Sequence, residues 1–141
     1  GAVRGVLQPI LKEAPESVVV CNRTLSKADE LVSIFKHLGN ISCSAFEELD
    51  CAFDLVINGT SASLSGNLPP LPAHVIAAQT VVYDMMYAKY ATVFNVWAKQ
   101  HGAVKTIDGL GMLVEQAAEA FKIWRGVQPE TSDVMVALRA L

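Results

Sequence analysis

Runs of β-branched residues alternate along this chain with stretches whose apolar residues recur every three or four positions. The first rhythm suits strands buried on both faces; the second suits helices with one apolar stripe. The pattern predicts a helix over Val3–Leu11, broken near Pro15, and then a strand over Ser17–Cys21. Ser26 and Asp29 have the spacing of a capping box, which predicts that Ser26 N-caps the next helix and that Gly39 ends it. Further strands are expected at Ile41–Ala45, Phe53–Asn58, Thr80–Tyr83 and Val104–Ile107. Helices are expected at Ala91–His101 and Gly111–Trp124, with a last one from Thr131 to Leu141. Within the long helix, Phe121 and Trp124 have the spacing of core residues. The stretch Ser61–Pro72, with Gly66 and three prolines, reads as a loop following a strand end, where ligands of open sheets bind. Strands alternating with helices describe an α/β fold with a parallel sheet.

Composition changes this picture little. At 141 residues with 52% hydrophobic residues, the chain is one domain with a sizeable core. A net charge of -3, with few and scattered Lys and Arg, argues against a nucleic-acid surface. No apolar run reaches the roughly 20 residues of a membrane-spanning helix, so no membrane partner is expected. Cys21, Cys43 and Cys51 lack paired spacing, which suits small apolar residues in a reducing cytosol better than a zinc site. His37 and His101 lie just before Gly39 and Gly102 and read as last-turn helix residues, while His74 follows the Pro-rich loop.

Three clusters carry candidate chemistry. Asn22, Arg23 and Thr24 directly follow the strand at Ser17–Cys21, where NAD-specific folds place an acid for the ribose 2′-hydroxyl. Arg23 instead offers a planar cation for a phosphate, and Lys27 adds a second charge at a helix start. Cations gain nothing from that end of the helix dipole, so the cluster points to an anionic ligand and to NADP rather than NAD. Asn58, Gly59, Thr60 and Ser61 end a strand with small polar residues and accessible backbone, suited to a nicotinamide ribose. Gly109 and Gly111 bare the backbone at the mouth of the long helix, and Gln116 brings an amide into its first turns.

Together with Tyr83-Asp-Met-Met-Tyr87, the runs from Asn22 to Lys27 and from Asp108 to Ala117 resemble the C-terminal half of the shikimate dehydrogenase family. The resemblance implies a Rossmann-like, doubly wound parallel sheet and reversible, NADP-dependent reduction of 3-dehydroshikimate to shikimate, in chorismate biosynthesis. It places Met85 and the Gly109 backbone against the nicotinamide. It gives Tyr87 and Gln116 to the substrate, Tyr87 at its carboxylate. Lys27 stands where the family's pattern Asn-Arg-Thr-x-x-Arg ends in Arg, and Gly59 and Ala62 depart from Asn-Ala-Thr-Ser-Ser.

Gly1 and Ala2 match the last two residues of the family's phosphate motif Gly-Ala-Gly-Gly-Ala. The chain is therefore expected to start inside the phosphate loop, without the first strand, which would lie between Ser17–Cys21 and Phe53–Asn58. Residues 1–141 would then form an incomplete NADP-binding domain, unable to fold autonomously and inactive alone. The family's proton-handling Lys–Asp pair belongs to the N-terminal substrate domain, and neither Lys12, Lys36 nor Lys99 matches it. No catalytic residue is expected in this chain. A quinate or shikimate dehydrogenase using NAD would share most motifs, though Arg23 without an acidic neighbour argues against it. Glutamyl-tRNA reductase shares Asn-Arg-Thr but is not expected to carry the Asp108–Gln116 run. A non-catalytic NADP-binding module remains a further alternative, and assembly as a homodimer is left open.

Overall fold

A computed structural model describes residues 1–60 and 62–140, with side chains at all of these except 63 and 64. Ser61, expected to close the Asn58 motif, and Leu141, the expected helix end, lie outside the described residues. The chain divides into two compact units, Gly1–Ala52 with Pro69–Val75, and Phe53–Leu68 with Ile76–Leu141.

The first unit contains α1 (Ala2–Lys12), β1 (Val18–Cys21), α2 (Leu25–Phe35) and β2 (Ile41–Ser44). β1 and β2 pair in parallel, with Val18 opposite Ile41 and Cys21 opposite Ser44. Leu7 and Leu11 of α1, Ala28 of α2, Val20 and Ile41 form the buried core, flanked by Leu31, Val32 and Phe35. Leu7 and Leu11 are one helical turn apart, as are Ala28 and Val32, so each helix turns one stripe inward.

α2 differs from its expected limits. It starts at Leu25, with Thr24 rather than Ser26 at the N-cap, and stops at Phe35. The Asn22 side chain explains the early start, because its Oδ1 accepts the Thr24 N–H at 2.9 Å. This turn brings the chain to its helical course before Ser26 is reached. Gly39 lies beyond the helix end and serves packing instead: a Cβ there would sit 3.2 Å from Leu11 Cδ2.

The second unit contains β3 (Leu55–Asn58), β4 (Val81–Asp84), α3 (Val93–Gln100), β5 (Lys105–Ile107), α4 (Leu110–Arg125) and α5 (Ser132–Ala140). Its sheet has the order β3–β4–β5, parallel throughout. Val82, Phe94 and Ala98 are fully buried, and Leu110, Val114 and Ala118 line the inner face of α4. The stretch expected as a loop holds a short 3-10 turn at Ala62–Ser65 and a left-handed Gly66.

Phe121 and Trp124 are not core. They are 45% and 79% exposed. A helix of 16 residues runs about 24 Å at its usual rise, whereas a four-residue strand covers only roughly 13 Å. The last turns of α4 outrun the strands beneath them, so helical spacing there marks a stripe with no sheet below it.

Candidate functional site

In the first unit, the candidate residues gather where β1 ends and the helices begin. α1 and α2 share one buried core with β1 and β2. Gly1 is the N-cap of α1, with no side-chain cap and no acid in the first turn. α2 has the same features behind Thr24. Both helix starts therefore present amide N–H groups and the positive end of a dipole. Arg23, Thr24 and Lys27 are exposed, and neither Arg23 nor Lys27 has an ion-pair partner among the described residues. Uncapped amides, no acid and two unpartnered cations suit a ligand carrying several phosphates.

In the second unit, the candidates lie at the C-terminal ends of three parallel strands. Asn58 stands opposite Asp84 in the β3–β4 register, and Tyr83 opposite Ile107 in β4–β5. Asn58 is buried, and its Nδ2 donates to Asp84 Oδ1 at 3.2 Å. Asn58 Oδ1 accepts both the Thr60 N–H at 3.1 Å and the Thr60 hydroxyl at 2.8 Å. These side chains shape the turn itself. Asp84, fully buried, also accepts the Met86 N–H at 3.1 Å and so sets the course of the Met85–Tyr87 segment.

Gly109 is packed hard against that segment. Its N–H donates to the Met86 carbonyl at 2.9 Å. A Cβ at Gly109 would run into the Met85 carbonyl oxygen and lie 2.7 Å from its carbonyl carbon. Glycine is required here by a backbone-to-backbone contact, whereas Gly111, with nothing within 4 Å of its Cβ position, faces open space. Met85 is buried and Met86 half-buried.

Tyr87 is exposed and lines a cavity of about 250 Å³ with Lys89, Leu110, Leu113, Leu138 and Arg139. Gln116 is exposed too, but it lines a different hollow, between α4 and α5, with Leu113, Phe121, Pro129 and Val134. The two residues expected at the substrate thus stand on neighbouring hollows that share Leu113 and Leu138.

Two contributors escaped sequence reasoning. Asp108 is buried, its Oδ1 accepting the Leu110 N–H at 3.2 Å at the start of α4. Arg139 of α5 meets the same carboxylate with both terminal nitrogens, each at 2.5 Å. The Arg139 bond holds the Asp108 carboxyl below its ordinary pKa, burial opposing and the Leu110 N–H assisting. Burial and then the Asp108 charge push the Tyr83 phenol up, against a bond from the Met112 backbone. An Asp directly ahead of a helix start signals a cap in sequence, whereas nothing local announces Arg139 as its partner.

A family model described as the Shikimate 5'-dehydrogenase C-terminal domain matches residues 109–139. A shikimate dehydrogenase (NADP(+)) of Marinobacter nauticus is 61% identical over 99% of this chain, which covers 52% of that relative. The chain spans about half the length of the curated relatives it matches. Among solved structures, an Ael1 enzyme from Pseudomonas putida is 44% identical, with a TM-score of 0.89 over 98% of this chain and 52% of its own. A shikimate 5-dehydrogenase from Thermus thermophilus, solved with NADP(H) and shikimate, is 31% identical, with a TM-score of 0.76 over 95% of this chain and 49% of its own.

Proposed function

We propose that the chain is part of a shikimate dehydrogenase and supplies the cofactor-binding part of an NADP-dependent enzyme interconverting 3-dehydroshikimate and shikimate. The observation that carries the cofactor reading is the pair of cations Arg23 and Lys27, without an ion-pair partner among the described residues, beside helix starts with no side-chain cap and no acid in the first turn. The amides at Gly1 and Ala2 would hold the diphosphate, with Asn22, Arg23, Thr24 and Lys27 around the 2′-phosphorylated ribose. The backbone of Asn58–Thr60, the Met85 side chain and the Gly109 turn would border the nicotinamide. NADPH supplies the hydride when bound. The Tyr87 hydroxyl and the Gln116 amide would orient the substrate by hydrogen bonds, Tyr87 at its carboxylate. The proton-handling pair that the resemblance implies is assigned to the rest of the protein.

The three cysteines are free, and among the described residues no helix is long and apolar enough to cross a membrane. The free cysteines are what supports a cytoplasmic enzyme.

The test is absorbance at the NADPH band during shikimate oxidation by the full-length enzyme and its Tyr87→Phe and Gln116→Ala variants. Shikimate-dependent reduction of NADP+ is expected in the wild type. Each variant should lose about tenfold or more in kcat/KM for shikimate, with NADP+ binding within about twofold of normal. A wild type inert toward shikimate would refute the activity, and unaltered shikimate kinetics in both variants would refute the residue assignment.

A further inference from the structure

The Asp108–Arg139 contact joins the last helix to the part of the second unit on which the proposed site depends. Asp108 Oδ1 accepts both the Leu110 N–H and an Arg139 nitrogen, while Oδ2 accepts the other Arg139 nitrogen. The residue between Asp108 and Leu110 is Gly109, whose N–H is bonded to Met86 and whose backbone abuts that of Met85. Arg139 and its neighbour Leu138 also line the Tyr87 cavity, as does Leu110. One guanidinium therefore touches the cap of α4 and the wall of the cavity at once.

We infer that Arg139 is a positioning residue: through Asp108 it holds the Gly109 turn against the Met85–Met86 backbone and closes one side of the Tyr87 cavity. The inference rests on the reading of Gly109 as cofactor-facing and Tyr87 as substrate-facing. A planar guanidinium with two parallel bonds fixes the direction of the carboxylate as well as its place, which a single ammonium cannot do. A carboxylate so fixed keeps its acceptor aimed at the Leu110 N–H. The first turn of α4 then cannot drift from the strand ends, and small misplacements at a reacting centre are expensive in rate. The lowered pKa of Asp108 agrees with this geometry, since the carboxylate stays ionised through the neutral range.

The experiment compares Arg139→Met, Arg139→Lys and Asp108→Asn in the full-length enzyme by amide hydrogen exchange without added ligand and by steady-state kinetics. In Arg139→Met, the amides of residues 110–113 should exchange about tenfold faster or more, with β3 and β4 little changed. Its kcat for shikimate should fall about tenfold, while KM for NADP+ stays within about twofold. Arg139→Lys should fall between Arg139→Met and the wild type in both readouts. The double variant Asp108→Asn/Arg139→Met should be no worse than the poorer single one, because the two side chains act as a unit. Unchanged exchange at residues 110–113, or lost protection with a wild-type kcat, would overturn the inference. Should Arg139→Met fail to fold, Arg139→Lys decides: intermediate values support the role and wild-type values refute it. The exchange measurement needs no substrate. A wild type inert toward shikimate therefore strikes the proposed activity alone, whereas an active wild type with an indifferent Arg139 strikes this inference alone.

Discussion

Individual residues at the first unit's helix starts divide into those that shape the backbone and those that face outward. Asn22 belongs to the first kind, since its side chain is spent on the Thr24 N–H. Arg23 and Lys27 belong to the second, exposed and without partners among the described residues. Replacing Arg23 with Ala should therefore leave the fold alone and remove a charge-assisted phosphate contact of about 1.5–3 kcal/mol. Calorimetric titration of the full-length enzyme should show NADP+ affinity down about tenfold or more, with NAD+ affinity nearly unchanged. Equal losses for both cofactors would mean that Arg23 does not read the 2′-phosphate. The placing of this cluster was legible in the sequence, because Asn22, Arg23 and Thr24 directly follow the β-branched run that forms β1. The roles of Asn58 and Thr60 were less so: their side chains bond to each other, and Asn58 also bonds to Asp84, which only the β3–β4 register brings alongside.

At the scale of elements, α4 carries most of the second unit's organisation. Gly109→Ala should cost about 1–3 kcal/mol, because its Cβ meets backbone that cannot step aside. Gly111→Ala, with open space at its Cβ, should be neutral or stabilising by up to about 1 kcal/mol. Urea denaturation of both variants checks the contrast, and equal behaviour would contradict it. The ion pair that ties α5 to α4 has a pH signature. Asp108 is held below its ordinary value of 3.8, chiefly by Arg139. A depressed carboxyl adds stability above its unfolded pKa and loses it as pH falls through the lower folded value. The melting temperature of the wild type should thus exceed that of Asp108→Asn above about pH 4, by the equivalent of about 1 kcal/mol for a partly screened pair. The gap should close on acidification, and a gap that persists or widens in acid would remove the pair's assigned role. Helix periodicity announced α4 itself but misjudged Phe121 and Trp124, since a repeat in sequence does not record how far the underlying sheet extends.

For the whole molecule, the order of strands and helices was readable because each short β-branched run is bounded by turn residues and followed by an apolar repeat. What was not readable is the pairing, which depends on contacts distant in sequence. β1 is paired only to β2, and β3 only to β4, among the described residues. In the proposed function these residues form the part of a dehydrogenase that selects NADP. Side-by-side calorimetric titration of the full-length wild-type enzyme with NADP+ and NAD+ tests this selectivity. NADP+ should bind tighter by about tenfold or more, as a charge-assisted 2′-phosphate contact requires. Equal affinities, or tighter binding of NAD+, would contradict it.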